Sequence, residues 1–166
     1  MKIINTLACT ALLASGSAFA QQEAHEIEFL LGGTVKTSRF FDDNDGGINA
    51  QLGYYLTQQL ELSGRQYGFI NSSNGSTSVQ GASGLFTDYH VDLGIFQPFV
   101  GVGGLFNYGS NQQSNSFDVG AEAGIKAFVM PQTFVSAQGT YLRPVDDFGN
   151  GHKSYALFSL GVGFTF

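Results

Sequence analysis

The stretch "FDVGAEAGIKAF", Phe117 to Phe128, decides the fold. Apolar residues occupy every second position in it, and charged residues or glycines stand between them. The apolar set is Phe117, Val119, Ala121, Ala123, Ile125 and Ala127, and the intervening set is Asp118, Gly120, Glu122, Gly124 and Lys126. Because successive side chains of a strand point to opposite faces, this pattern predicts a β-strand with one apolar face and one polar face.

The same alternation recurs along the rest of the chain, whereas no helical period stands out. The eight segments that carry it are residues 25–35, 48–56, 60–69, 82–91, 98–108, 117–128, 133–142 and 155–166. Connections after the odd-numbered segments are longer and more polar than those after the even-numbered ones. Long loops on one side and tight turns on the other are typical of membrane barrels. We therefore predict an all-β fold, an eight-stranded antiparallel up-and-down transmembrane β-barrel.

The composition favours a membrane barrel over a soluble one. Only 12% of the residues are charged, about half the usual ~25%. A soluble barrel would point its apolar faces inward and carry many charges outside, but the 117–128 strand has few charges, all in mid-strand. A closed sheet satisfies all of its backbone hydrogen bonds and can therefore cross a bilayer. The net charge of −6 argues against nucleic acid as a partner.

The first twenty residues have the pattern of a secretory signal peptide. Lys2 is followed by an apolar stretch that ends in Ala18-Phe19-Ala20, the small-x-small motif of a cleavage site. We predict that residues 1–20 are cleaved and that residues 21–166 form one barrel domain in the bacterial outer membrane. The single cysteine, Cys9, lies within this signal, so no disulfide is expected in the barrel.

The polar strand faces predict a network inside the barrel. An eight-stranded barrel has a lumen about wide enough for side chains to fill, so inward residues of different strands should meet. Counted from the short turns, Arg65 comes level with Glu122, and Glu61 with Lys126. We predict two cross-lumen ion pairs within a polar network of Glu61, Arg65, Asp118, Glu122 and Lys126. The alternative is that these groups are separately solvated in a wet lumen.

Aromatic and cationic residues near the strand ends predict contacts with the membrane rims. The aromatic set, typical of an interfacial girdle, is Tyr54, Tyr55, Tyr89, Phe106, Tyr108, Tyr141 and Phe166. Arg143 shares the outward parity of Tyr141, and Arg39 and Lys153 lie in neighbouring long loops. These three cations are candidate lipopolysaccharide contacts, because guanidinium and ammonium groups bind phosphate. The alternative is that they are rim cations with no such role.

No motif predicts catalysis, a metal site or a cofactor. The acidic stretch "FFDDNDGG" (40–47) lacks the alternate spacing of a calcium loop and suits an ordinary hairpin loop. His152-x-Ser154 resembles the catalytic pair of some outer-membrane lipid A deacylases, but no carboxylate follows it to orient the imidazole. His25 and His90 are isolated in the sequence and have no ligand spacing.

Three stretches resemble the small outer-membrane β-barrel family, the OmpA/OmpX-type transmembrane domain. They are "LGYYLTQQLEL" (52–62), "QPFVGVGGLFNY" (97–108) and "SLGVGFTF" (159–166). The resemblance covers the whole chain after the signal. It implies insertion by the barrel-assembly machinery, which reads a last strand ending in Phe. Phe164 and Phe166 are therefore the expected assembly signal, and outer-membrane lipid, lipopolysaccharide and that machinery are the expected partners of a monomer.

These features predict a structural or surface-interaction role for the barrel, exerted through four outer loops that meet surface or host ligands. A narrow, gated solute or ion passage through the lumen is the second reading. A lipid A-modifying enzyme that uses His152 and Ser154 is the third.

Overall fold

The structure, a computed structural model, describes residues 23–38, 43–73, 76–109, 116–145 and 154–166. The signal-peptide prediction for residues 1–20 lies outside these ranges. Eight strands make up almost all of the described chain. They are β1 (Ile27–Ser38), β2 (Asp43–Tyr55), β3 (Leu60–Ser73), β4 (Ser76–His90), β5 (Phe96–Gly109), β6 (Ser116–Met130), β7 (Thr133–Pro144) and β8 (Tyr155–Thr165). No helix in the described ranges is long and apolar enough to cross a membrane.

The strands form one closed barrel in chain order. Each strand pairs antiparallel with the next, and β8 returns to pair with β1 from Glu28↔Thr165 to Ser38↔Tyr155. Two backbone hydrogen bonds of 2.9 Å between Ile27 and Phe166 extend this seam. The predicted eight-stranded antiparallel up-and-down fold is confirmed. Since every strand has two neighbours, the sheet has no free edge.

At the side of the barrel with the long connections, strands continue beyond the ends that the sequence pattern predicts. Residues 70–81 are predicted as a loop, but Ile70↔Val79 through Ser73↔Ser76 continue the β3–β4 ladder. Likewise residues 43–47 belong to β2, so the prediction of an acidic hairpin loop at 40–47 is wrong for that part, and residues 39–42 lie outside the described ranges. Backbone ladders need no apolar face, so a strand can continue where the alternation has ended.

The outer face of the barrel is apolar and exposed. Ile48 and Leu160 show 73% and 67% of their surface, and residues of the same parity on every strand are similarly exposed. In water such a continuous apolar belt would be a large hydrophobic patch. In a bilayer it is the surface that lipid chains contact.

The inner face carries most of its charged side chains at mid-height, and towards the ends it combines apolar and aromatic side chains with polar ones such as Asp118 and Asn107. One buried apolar cluster consists of Tyr67, Phe69, Ala82, Phe86, Leu105, Leu142, Tyr155 and Leu157. A smaller one, Leu30, Phe128 and Phe134, lies towards the short-turn end. Between them lie the charged side chains described below. The lumen is thus filled along its length by side chains of the described residues.

The prediction that Tyr55 belongs to the aromatic girdle is wrong. It is fully buried in the lumen, whereas its neighbour Tyr54 is 40% exposed on the outside. Adjacent strand residues face opposite sides, so only one of the two tyrosines can belong to the girdle. Tyr89, Tyr141 and Phe166 are exposed on the outer face, as an interfacial belt requires.

Candidate functional site in the barrel lumen

Charged side chains from four strands, β1, β3, β4 and β6, meet inside the barrel at two levels. Arg65 stands at the centre of the upper level, and Lys126 at the centre of the lower one. All of the side chains in these ion pairs have between 0 and 2% of their surface exposed. Charges buried to this extent require partners, because the loss of hydration is costly.

At the upper level, Arg65 binds Glu122 with both terminal nitrogens. Nη1 donates to Oε2 at 2.5 Å, and Nη2 donates to Oε1 at 2.6 Å. Nη2 also donates to Asp88 Oδ2 at 2.8 Å, and the guanidinium lies over the Phe86 ring at 4.2 Å. The paired, planar contact is one that arginine makes and lysine cannot. Thr140 donates a further hydrogen bond to Glu122 at 3.0 Å.

At the lower level, Lys126 bridges two carboxylates from opposite sides. Its Nζ donates to Glu28 Oε2 at 2.5 Å, to Glu61 Oε2 at 3.0 Å and to the Tyr55 hydroxyl at 2.9 Å. His90 Nε2 lies 2.9 Å from the same Glu61 oxygen. Lys126 thus uses its three ammonium protons on three lumen oxygens.

The structure brings together four of the five lumen residues that the sequence singles out. Arg65 lies against Glu122, and Glu61 against Lys126, each pair reaching across the barrel from β3 to β6. Asp118 is separate: it accepts hydrogen bonds of 2.6 Å from Asn107 and from the Tyr155 hydroxyl. Above it, Lys36 lies 4.4 Å from the centre of the Tyr155 ring.

The sequence reasoning missed Glu28, Asp88 and His90 as members of the lumen network. The interpretation of His90 as isolated is wrong, because Glu61 of the neighbouring strand is its partner. One signal in the sequence could have found Asp88 and His90. They are two positions apart on β4, so both side chains point to the inward face. Contacts between different strands leave no spacing motif in the sequence. To predict them, one must know both which face each residue occupies and the register between the strands.

The other predicted residues lie near the barrel's ends. Arg143 is on β7 opposite Val119 of β6, one residue before the strand ends. Arg39, Lys153 and His152 lie outside the described residues, and Ser154 immediately precedes β8. Phe164 and Phe166 are exposed on the outer face of the closing seam.

Solved structures of other proteins share this fold at low sequence identity. The N-terminal β-barrel domain of Pseudomonas aeruginosa OprF is 21% identical, with a TM-score of 0.67 over 87% of this chain and 100% of that chain. Neisserial surface protein A is 16% identical, with a TM-score of 0.64 over 85% and 96%. Ail, the attachment invasion locus protein of Yersinia pestis, is 14% identical, with a TM-score of 0.58 over 86% and 99%.

No protein-family model matches the chain, and no curated protein sequence matches it. The structural matches and the apolar outer belt therefore carry the classification. They define the fold of the small outer-membrane β-barrels of the OmpA/OmpX type, as the sequence predicts. The fold is therefore that of integral membrane β-barrels, and the exposed apolar belt is the surface that such a barrel turns to lipid.

Proposed function

We propose that this protein is a closed barrel scaffold, not an open pore, and that its outer connections provide its interactions. The observation that carries the proposal is the pair of ion-pair levels that cross the lumen, with side chains at most 2% exposed. A hydrated ion can cross a barrel only along a continuous path of water. Barrels of about 16–18 strands have such a path, but the lumen of an eight-stranded barrel is only about wide enough for its own side chains.

The surface depressions support the same proposal. One depression, about 740 Å³, lies on the lipid-facing side, where Gly33, Ala137 and Gly139 leave space between Val35 and Phe158. It is lined mainly by residues of outward parity, so it is a feature of the outer wall. Space of that kind accommodates lipid chains and offers no route for solutes.

The net charge narrows the class of surface ligand. Ail has been solved in complex with the heparin analogue sucrose octasulfate. The present chain carries 13 Asp and Glu against 7 Lys and Arg, so a sulfated polyanion would be repelled by its overall field. The proposed soluble ligands of the outer connections are therefore neutral or cationic, whereas a contact with a lipid phosphate of the membrane itself needs only a local cation. We further propose that Arg143 contacts a lipopolysaccharide phosphate at the rim.

Bilayer recordings test the closed lumen. The folded protein, reconstituted in planar bilayers, should give no steady discrete openings. The variant Arg65→Ala should leak, because it removes the group that spans the upper level. Gln66→Ala, which changes the adjacent outward residue, is the matched control and should stay silent. Steady discrete openings of the wild-type barrel would contradict the proposal.

A gated passage is the second candidate, and one observation favours it. Arg65 contacts Asp88 as well as Glu122, and Lys126 contacts Glu28 as well as Glu61. Each cation therefore has two partners between which it could move. Brief openings that become more frequent in Glu122→Gln would support this reading over a permanently closed scaffold.

A non-enzymatic role completes the proposal. Mass spectrometry of lipid A from cells with and without the protein should give the same spectrum. A mass shift that depends on both His152 and Ser154 would overturn this part and restore the enzyme reading.

A further inference from the structure

The lumen contains more carboxylates than its cations need. The two tightest pairs are Arg65 with Glu122, joined by two hydrogen bonds of 2.5 and 2.6 Å, and Lys126 with Glu28 at 2.5 Å. Each of these pairs is neutral by itself. The longer contacts, Arg65–Asp88 at 2.8 Å and Lys126–Glu61 at 3.0 Å, involve the two carboxylates that remain.

The two surplus carboxylates lie side by side and share a histidine. Glu61 of β3 is directly opposite Asp88 of β4 in the ladder, and His90 follows Asp88 by two positions on the same inward face. Each of the three offers one ligand atom, and these atoms lie within 4.8 Å of one another. All three residues are at most 1% exposed. The pairing of β3 with β4 therefore holds Glu61, Asp88 and His90 close to one another.

Two buried atoms of this set have no hydrogen-bond partner among the described residues. They are Asp88 Oδ1 and His90 Nδ1. Buried polar atoms in folded proteins are almost always satisfied, and an unpaired one points to a bound water or ion. Surplus buried negative charge is also costly unless something neutralises it.

We propose that Glu61, Asp88 and His90 hold a divalent transition-metal ion inside the barrel. The charge balance suits a cation of this valence: four carboxylates against Arg65 and Lys126 leave two negative charges when His90 is neutral. Two carboxylate oxygens and one imidazole nitrogen suit zinc, manganese or iron, whereas calcium and magnesium prefer oxygen ligands alone. This inference revises the expectation of no metal drawn from the sequence.

Metal binding would replace one ion-pair contact of each of the two surplus carboxylates. Asp88 would turn from Arg65, and Glu61 from Lys126. Each cation would keep its shorter partner, Glu122 or Glu28. Imidazole binds metal in its neutral form, so the ion replaces any proton shared between His90 and Glu61. The two levels around Arg65 and Lys126 remain filled and become neutral in sum.

Zinc is the probe for the test. The full mature chain, without a histidine tag, is folded in detergent after chelator treatment, with zinc supplied either during folding or afterwards. Bound zinc is measured by elemental analysis on heat-modifiable, folded protein, and its ligands by X-ray absorption. We expect about one ion per barrel with oxygen and imidazole ligands, as the three-ligand set implies, and a rise in the thermal unfolding temperature. Calcium at the same concentration should produce no such rise.

Two histidine variants complete the design. His90→Asn should lose the bound zinc, whereas His25→Asn should retain it, because His25 lies outside the lumen and bonds the Tyr54 hydroxyl. If His90→Asn does not fold, Asp88→Asn replaces it, and the wild-type absorption spectrum alone must show imidazole. Absence of zinc from the wild-type barrel under both loading conditions would overturn the proposal. Equal zinc in His90→Asn, or a spectrum without imidazole, would do the same.

Discussion

At the scale of single residues, the lumen network depends on two glycines as much as on its charges. Gly53 and Gly101 face inward, and a Cβ at either would overlap the carboxylate of Glu61 or Asp88 respectively. The nearest obstacles are these acidic side chains themselves, which would have to leave their present positions against the two glycines. Close packing of the lumen side chains therefore explains why glycine occupies these two positions.

Gly101→Ala should destabilise the barrel, because the added methyl forces the Asp88 carboxylate out of its place. Overpacking of this kind costs about 1–3 kcal/mol. Gly33→Ala is the matched control: it lies in mid-strand on the outer face, where the nearest atom to a new Cβ is 4.0 Å away. Urea unfolding in detergent or lipid measures both variants. Equal free energies of unfolding for the two would contradict the packing argument.

Removing one partner of a buried ion pair should be costly. Glu122→Ala leaves the Arg65 guanidinium with Asp88 as its one remaining carboxylate partner among the described residues and removes the acceptor of Thr140. Loss of one partner of a buried pair typically costs about 3–5 kcal/mol. Ala121→Ser on the neighbouring outward position should cost far less. A loss below about 1 kcal/mol for Glu122→Ala would mean that the pair is solvated, as surface pairs are.

At the scale of strands, the closing seam between β1 and β8 carries the predicted assembly signal. Phe166 exchanges two backbone hydrogen bonds with Ile27 and exposes 65% of its surface on the outside. We expect Phe166→Asp to reduce insertion into the outer membrane at native expression. Phe96→Asp is the control, since Phe96 is an exposed aromatic (46%) at the start of β5. Normal insertion of Phe166→Asp, or an equal defect in both variants, would count against the signal.

The strands also indicate what the sequence could predict and why. The alternation of apolar and polar residues along β6 predicts the strand correctly, because one face of β6 lies on the apolar outside and the other faces the lumen. The sequence of residues 70–81 has no such alternation, so the upper parts of β3 and β4 could not be predicted from pattern. The Arg65–Glu122 contact followed from counting positions along two strands. His90 could not be assigned in this way, because its partner Glu61 depends on the register between β3 and β4.

At the scale of the whole molecule, the apolar belt fixes how the barrel sits in the bilayer. Val102 lies in the middle of β5 and is 63% exposed. Val102→Arg should therefore cost about 2–4 kcal/mol in a bilayer, whereas an arginine near the interface costs about 0–1 kcal/mol. Leu93→Arg, in the short β4–β5 connection, is the interfacial comparison. Similar unfolding free energies for the two variants in lipid vesicles would contradict this orientation.

The β1–β8 pairing has a consequence for the time order of folding. The first strand to leave the ribosome has the last strand as one of its two neighbours. The sheet therefore cannot close while the chain is still being made, and until then β1 and β8 both present open backbone edges. Such edges recruit other chains. A cell that makes this protein must keep it extended and escorted from synthesis until the last strand arrives at the membrane.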